Sequence, residues 1–222
     1  MKPRHHLDPA TVVSYASGAL PAEMSVLVAT HLEVCAECRD TVRRAEHVGG
    51  TLIEQQQAVH MSGTPQESLR LAMMAQLDHI EPRSAPSVAA PLPADPDRLP
   101  SPLHPYFGTS YSTLKWRWMG PGMHYIRTTG PSGGVLLMLR IGPGRRMPVH
   151  GHGGSELTQI LRGAYHDALG HFTAGDMADL DNDIEHQPVT SPGVPCICVA
   201  ALDAPLRFPG WLARTLQPIF GI

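Results

Sequence analysis

The chain has 222 residues, a length that accommodates two modest domains. Hydrophobic residues make up 42% and charged residues 17% of the composition, which excludes a disordered protein. The formal net charge is -3 and the 17 Lys and Arg residues are scattered, so direct binding to nucleic acid is not expected.

The start of the chain and its apolar runs bear on location. Residues 1–6 are not followed by the apolar core of a signal peptide. The longest apolar runs, such as 135–139, are too short to cross a membrane as a helix. We therefore expect a cytoplasmic protein with no membrane partner. The four cysteines form two close pairs, Cys35 with Cys38 and Cys196 with Cys198. In a reducing compartment such pairs indicate metal or redox chemistry more than structural disulfides.

The N-terminal half contains a group of potential metal ligands near the end of a predicted helix. Pro21 followed by Glu23 suits the first turn of a helix. Downstream, His31, Cys35 and Cys38 have the spacing H-x3-C-x2-C at a predicted helix-to-helix junction. A thioredoxin-like redox pair is disfavoured because no βαβ pattern surrounds the cysteines.

A structural zinc site needs a fourth ligand, because zinc in such sites is tetrahedral. His6, near the start of the chain, is the candidate for this position. Two other histidines compete with it: His5 and His47. Spacing alone does not choose among the three.

These residues resemble the fingerprint of the zinc-binding anti-sigma factors, which is an upstream His followed by H-x3-C-x2-C in a four-helix domain. The matching residues are His6, His31, Cys35 and Cys38. The resemblance implies a structural zinc ion. It also implies a domain that clasps an alternative sigma factor and keeps it from core RNA polymerase.

Apolar residues recur at helix spacing in the rest of the N-terminal half. One set comprises Val42, Ala45, Val48, Leu52 and Ile53. We expect Gly49 and Gly50 to interrupt that helix. A second stripe comprises Leu69, Met73, Leu77 and Ile80. This stripe either packs within its own domain or forms a candidate partner-binding surface.

A proline-rich stretch marks the predicted domain boundary, because proline at this density stops regular structure. We predict a zinc-binding helical domain over residues 1–85, a Pro and Ala-rich linker over 86–102 and a second domain over 103–222. The second domain contains short apolar runs cut by Gly and Pro, at 134–141, 157–161, 175–180 and 196–202. The predicted fold class is therefore α + β in two domains: a bundle of about four helices and an all-β barrel.

The second domain carries its own metal-donor motif. Gly144, His150, His152, Glu156 and Gly163 reproduce G-x5-H-x-H-x3-E-x6-G, which resembles the first cupin motif. Side chains alternate along a strand, so the two histidines point to the same face and can reach one ion inside the barrel. The glutamate is predicted to return to that ion as a carboxylate donor.

A shorter segment resembles the second cupin motif, with departures. Gly175 and His186 fit G-x5-P-x-G-x2-H in length, but Asp181 and Asp183 occupy the Pro and Gly positions. Asp tolerates turn conformations, so we predict an altered turn with His186 kept as a ligand. Thr190 stands where the family has Asn. Three nitrogens and one carboxylate suit zinc, and also iron, manganese or nickel.

Cys196 and Cys198 lie two residues apart, so a strand would point both thiols to one face. Buried cysteines of this kind usually pack without reacting. A redox sensor role is the less favoured interpretation, because thiols are plausible targets of an oxidant.

Taken together, a zinc anti-sigma domain, a Pro-rich linker and a cupin barrel resemble the ChrR-type anti-sigma factors. The resemblance implies an extracytoplasmic-function-type sigma factor as partner. It also implies that the cupin is needed for release in response to singlet oxygen or related oxidative stress. We expect a regulator that is not an enzyme. The alternative is a metal-dependent cupin enzyme, dioxygenase- or isomerase-like, with an accessory zinc domain.

Overall fold

The computed structural model describes residues 2–57, 66–77, 95–130 and 132–209. Within these residues the α-helices are α1 Pro9–Ala16, α2 Ala22–Val34, α3 Ala36–Glu54, α4 Gln66–Leu77 and α5 His104–Phe107. The strands are β1 Arg117–Gly120, β2 Met123–Thr129, β3 Val135–Ile141, β4 His150–His152, β5 Glu156–Arg162, β6 Ala164–Asp167, β7 Gly170–Thr173, β8 Met177–Leu180, β9 Glu185–His186, β10 Val189–Thr190, β11 Cys196–Leu202 and β12 Leu206–Arg207. No described helix is both long and apolar enough to span a bilayer.

The helical half follows the local signals with one exception. Helix α2 begins directly after Pro21 and carries Glu23 in its first turn, as predicted. Helix α3 runs unbroken through Gly49 and Gly50, so the expected interruption there is wrong. Glycine inside a helix costs about 1 kcal/mol relative to alanine, which weakens a helix without ending it.

The strands confirm the predicted all-β barrel. The largest sheet has six strands in the order β1-β2-β3-β11-β5-β8, and two three-stranded sheets have the orders β10-β6-β7 and β12-β4-β9. All the paired strands that the structure describes are antiparallel. The predicted apolar runs correspond to β3, β5, β8 and β11, the inner strands of the large sheet and one edge.

The strands β3, β11 and β5 of the large sheet are largely buried on both faces, which explains their nearly continuous apolar runs. On one face, Leu157 and Val199 belong to a core that also holds Leu27 and Val28 of α2. On the other face, Ile160 joins a separate core inside the barrel. Helix α2 therefore lies directly against the outer face of the barrel sheet, on β5 and β11.

The chain divides into two compact units. One comprises Met1–Gly50 and Asp97–Ile222, and the other comprises Thr51–Pro96. The first unit contains both α2 and the barrel. The predicted domain limits of 1–85, 86–102 and 103–222 stay a prediction.

A buried glutamate joins the start of α2 to a barrel loop. Oε1 of Glu23 accepts hydrogen bonds from the backbone N–H groups of Ser132, at 2.8 Å, and Gly134, at 2.9 Å. A Cβ atom at Gly130 would overlap the Glu23 side chain, so this loop needs glycine there. These two hydrogen bonds offset the cost of burying the Glu23 carboxylate.

A second buried carboxylate holds the N-terminal segment. Oδ1 of Asp176 accepts from the backbone N–H groups of Arg4, at 2.6 Å, and His5, at 3.1 Å. Its Oδ2 accepts from the backbone N–H and the hydroxyl of Thr173, at 2.7 and 2.9 Å. Burial alone raises the pKa of this carboxyl, but its hydrogen bonds outweigh burial and lower the pKa below the ordinary value.

We expect Asp176→Asn to destabilise the protein by about 2–3 kcal/mol at neutral pH, because the amide group would face N–H donors. The folded-state pKa is lowered, so the carboxylate stabilises the fold above its unfolded pKa and loses this effect as pH falls through the folded value. The difference between variant and wild type should therefore shrink in acid. Urea midpoints at pH 7 and near pH 3 measure it, and an equal difference at both pH values would contradict the assignment.

Candidate metal centres

The four predicted N-terminal donors lie close together at the junction between α2 and α3. Donor atoms of His6, His31, Cys35 and Cys38 all lie within 4.8 Å of one another. Nδ1 of His6 lies 3.2 Å from the sulfur of Cys35 and 3.7 Å from that of Cys38. Cys35 has an extended backbone between the two helices, and this sharp junction turns its thiol toward Cys38. Two thiols and two imidazoles are a donor set that can bind one metal ion, and structural zinc sites use such sets.

The imidazole of His31 fits the role of a ligand. Its Nδ1 donates to Oε1 of Gln159 at 3.0 Å, which leaves Nε2 as the nitrogen with a lone pair. Among the described residues, this buried Nε2 has no hydrogen-bond partner. Burial lowers the pKa of His31, so the imidazole is neutral, as a metal ligand must be.

The surroundings of Cys38 favour its protonated thiol, which is not the form that binds a metal ion. Burial raises its pKa to about 11, which keeps it protonated when no cation is near. A metal ion bound to the sulfur would deprotonate it. Loading of this site should therefore release protons.

The structure brings His6 into this group and leaves both competitors outside it. The ring of His5 stacks on Phe172, with centroids 4.0 Å apart, and its Nε2 donates to the carbonyl of His171. His47 is exposed on α3. One carboxylate that spacing did not indicate lies nearby, because Oε2 of Glu37 is 3.5 Å from Nε2 of His6.

A second group of donors lies inside the barrel. His150 and His152 come from β4, and His186 comes from β9, whose pairing with β4 places His186 opposite His150. Their donor atoms lie within 4.8 Å of one another, and all three side chains are buried.

The hydrogen bonds of these histidines determine which nitrogens are available. Nδ1 of His150 donates to the carbonyl of Pro148 at 3.0 Å, and Nδ1 of His186 donates to Asp167 at 2.8 Å. Both Nε2 atoms therefore carry lone pairs, yet they lie only 3.0 Å apart. Lone pairs this close repel each other unless a cation lies between them, so the arrangement fits a metal ion.

Two further features complete the barrel site. Among the residues described here, neither ring nitrogen of His152 has a hydrogen-bond partner, although the side chain is buried. Burial lowers the pKa of both His150 and His152, which favours the neutral ligand form.

Glu156 lies beside the three histidines. Its Oε2 is 3.4 Å from Nε2 of His152, and its Oε1 accepts from the hydroxyl of Thr158 at 2.7 Å. It is not a member of the close three-histidine group, but it lines the same cavity of about 60 Å³ as His150 and His186. Its role as a ligand stays a prediction, as do those of the seven other predicted donors.

Asp167 is a site residue that the sequence did not reveal. Its side chain is fully buried against His186, and its other oxygen accepts from the backbone N–H of Leu169. In sequence it reads as an ordinary turn aspartate at the end of a strand. Carboxylates that hydrogen-bond a ligand histidine fix its tautomer and increase its basicity.

We expect Asp167→Asn to weaken metal binding in the barrel by about 10- to 100-fold, because the partner of His186 Nδ1 loses its charge. Competition with a chelator of known affinity measures the change. Asp183→Asn is the matched control, since Asp183 is exposed in the turn before β9. Equal affinities for both variants would contradict this role.

The departures from the second cupin motif form the predicted turn. The backbone N–H of Asp183 donates to Oδ1 of Asp181 at 3.1 Å, which closes an Asx-type turn. At the Asn position of the motif, the hydroxyl of Thr190 donates to the carbonyl of Gly142 and accepts from the backbone N–H of Arg145.

Cys196 and Cys198 are both buried in the barrel and line the same cavity as His150. The neighbouring Cys196 thiol and burial raise the pKa of Cys198 well above its usual range. A thiol with a raised pKa is a poor nucleophile, which disfavours reaction with peroxides. The redox role stays a prediction.

The apolar stripe of α4 is exposed. Leu69, Met73 and Leu77 have 57%, 60% and 57% of their surface exposed, and Ile80 lies outside the described residues. The end of α3 is similar, because Val48, Leu52 and Ile53 are 60%, 59% and 70% exposed. Of the predicted α3 set, only Val42 is fully buried.

The barrel with inward-facing histidines on β4 and β9 is a cupin, and a helical region with a four-donor site precedes it. A family model described as the ChrR Cupin-like domain matches residues 107–204. The anti-sigma-E factor ChrR of Cereibacter sphaeroides is 41% identical over 221 residues, which cover 99% of each chain.

A solved structure agrees with this assignment. The crystal structure of Rhodobacter sphaeroides SigE in complex with the anti-sigma ChrR matches with a TM-score of 0.71 and 33% identity, covering 91% of this chain and 100% of that chain. The chain belongs to the ChrR family of anti-sigma factors. Both relatives are anti-sigma factors, so the expectation of a regulator that is not an enzyme is confirmed. The comparisons do not support the alternative of a metal-dependent cupin enzyme.

Proposed function

We propose that this chain sequesters an extracytoplasmic-function-type sigma factor through its N-terminal helices and keeps it from core RNA polymerase. One observation carries the proposal: four zinc-type donors converge at the α2–α3 junction of a chain that is 41% identical to an anti-sigma factor. A similar structure was solved with its sigma factor bound. Because transcription takes place in the bacterial cytoplasm, we place the activity there.

Zinc is the proposed ion of the N-terminal site, with His6, His31, Cys35 and Cys38 as ligands. Two thiolates and two imidazoles satisfy a tetrahedral ion without an open position, as in structural zinc sites. The ion would hold α2, α3 and the segment before α1 at fixed angles. In this role the metal supplies folding free energy and no catalysis.

The proposed partner-binding residues are Leu69, Met73, Leu77 and Ile80, of which the first three are exposed on α4. The exposed apolar residues Val48, Leu52 and Ile53 of α3 are separate candidates for contact with the partner. Support comes from the exposure of the described members, since apolar side chains more than half exposed are candidates for burial by a partner. An apolar helix face can lie in a groove of another protein. We also keep the division into residues 1–85, 86–102 and 103–222 as part of this proposal.

The barrel is proposed to hold a second metal ion and to be required for release of the sigma factor in response to singlet oxygen or related oxidative stress. His150, His152, His186 and Glu156 are the proposed ligands. Zinc is the favoured ion, with iron, manganese and nickel as alternatives, because imidazole and carboxylate donors accept all four. Cys196 and Cys198 are secondary candidates for the oxidant-sensitive groups.

The test is size-exclusion chromatography of the purified, zinc-loaded chain with an extracytoplasmic-function sigma factor from the same genome. We expect a one-to-one complex with that sigma factor and none with the housekeeping sigma factor, which is the matched control. Elution of the two proteins as separate species at micromolar concentration would contradict the proposal, because an inhibitor has to outcompete core polymerase.

A further inference from the structure

Gln159 is a buried polar residue on the outer face of β5, the face that α2 covers. Only 2% of its surface is exposed, and its neighbour on that face, Leu157, packs in the core that contains α2 residues. An apolar side chain of the same size would fill this space without burying an amide. A buried amide destabilises a core unless it is hydrogen-bonded, so the bonds of Gln159 need an explanation.

Both ends of the Gln159 amide have partners, and these partners fix its orientation. The amide nitrogen donates to the backbone carbonyl of Ile160 at 3.4 Å. The opposite end, Oε1, accepts from Nδ1 of His31 at 3.0 Å. Because the nitrogen is held by a carbonyl, the oxygen must face the imidazole, and His31 must carry its hydrogen on Nδ1.

We propose that Gln159 is a positioning residue for the N-terminal metal site, through which the barrel selects the tautomer and ring orientation of His31. This inference rests on the proposed metal site at His6, His31, Cys35 and Cys38. A histidine with its hydrogen on Nδ1 presents the lone pair of Nε2, and this is the nitrogen that lacks a hydrogen-bond partner among the described residues. Partners that orient ligand histidines in this way strongly affect metal affinity.

The strand that carries Gln159 also carries a residue of the barrel site. Glu156 lies three residues earlier on β5 and lines the cavity of the barrel site. One strand therefore contacts the barrel donors on one face and holds a zinc ligand on the other.

The experiment uses the full chain loaded with cobalt(II), whose thiolate-to-metal charge-transfer absorption reports an ion bound to cysteine. A variant with Cys35→Ser and Cys38→Ser should lack the band, which identifies its source. Decay of the band after addition of excess EDTA gives the rate of metal loss. Two variants are compared with the original chain: Gln159→Met, which keeps the volume and removes the acceptor, and Gln159→Glu, which keeps an acceptor oxygen.

We expect metal loss to be about 10- to 100-fold faster in Gln159→Met, because the orienting hydrogen bond is gone. The rate in Gln159→Glu should stay close to that of the original chain. Leu157→Ala is the packing control, since it loosens the same interface and leaves the hydrogen bond in place. Its rate should change much less than that of Gln159→Met. If Gln159→Met does not fold, Gln159→Asn, which withdraws the oxygen by one methylene, should show the same acceleration.

Three results would overturn the inference. Unchanged metal loss in Gln159→Met, or in Gln159→Asn, would show that the hydrogen bond does not matter. Equal acceleration in Gln159→Met and Gln159→Glu, or in Gln159→Met and Leu157→Ala, would show a packing role only. Absence of the charge-transfer band in the original chain would remove the proposed metal site itself, and with it this inference.

Discussion

Replacing Cys35 and Cys38 together by serine is expected to remove the N-terminal ion and to lower the affinity for the sigma factor by at least about a hundredfold. A structural zinc ion contributes about 10–16 kcal/mol in small zinc domains at neutral pH. If about 2.7 kcal/mol of that contribution is lost from the free energy of sigma-factor binding, the affinity falls a hundredfold. The helices that surround the site would then lose their fixed angles.

The measurement combines the zinc content of each protein with the dissociation constant of its sigma complex. The matched control is Cys196→Ser with Cys198→Ser, which removes the two barrel thiols. These thiols are buried inside the barrel, away from the α2–α3 junction, so the control should keep its N-terminal ion and its affinity. Retained affinity in the Cys35 and Cys38 variant, with the ion gone, would refute the structural role of the metal.

Replacing His150 and His152 together by alanine is expected to remove the barrel ion and to abolish release of the sigma factor by singlet oxygen, while binding of the sigma factor persists. Two of the three close imidazoles disappear, so metal affinity should fall by more than about 100-fold, the upper end for a change in a supporting partner alone. The strands of the large sheet keep their apolar contacts with α2, so the N-terminal site should remain intact.

The readout is the fraction of sigma factor freed from the purified complex after illumination with a singlet-oxygen photosensitiser. His166→Ala is the matched control, because His166 is exposed on β6 and lies outside the barrel metal group. Normal release of the sigma factor by the His150 and His152 variant would show that the response does not need the barrel ion. Loss of sigma binding in the unstressed variant would instead indicate that the barrel ion supports the whole fold.

Local spacing was enough to identify the features that depend on short segments. The apolar runs of 134–141 and 196–202 became strands β3 and β11, and the histidines and cysteines of the two donor motifs lie in close groups. Short motifs succeed here because a helix junction or a strand fixes the relative positions of residues two to four apart. The choice of His6 over His5 needed the structure, since adjacent residues differ only in which neighbours they meet.

The features that sequence did not reveal depend on contacts between distant segments. Gln159 contacts a residue 128 positions earlier in the chain, and Asp167 contacts one 19 positions later. Neither belongs to a periodic pattern, and a buried amide or a turn aspartate has many ordinary explanations. Helical spacing also could not tell that Val48 and Leu52 are exposed, because the same periodicity fits burial by the chain itself or by a partner.

The most direct test of the central claim is a competition between this chain and core RNA polymerase for a fluorescently labelled extracytoplasmic-function sigma factor. Increasing amounts of the zinc-loaded chain should displace the sigma factor from core polymerase and reach completion near one chain per sigma factor. A chain with both N-terminal cysteines replaced by serine should fail to do so. If the sigma factor stays on core polymerase in the presence of excess zinc-loaded chain, this protein does not act as its anti-sigma factor.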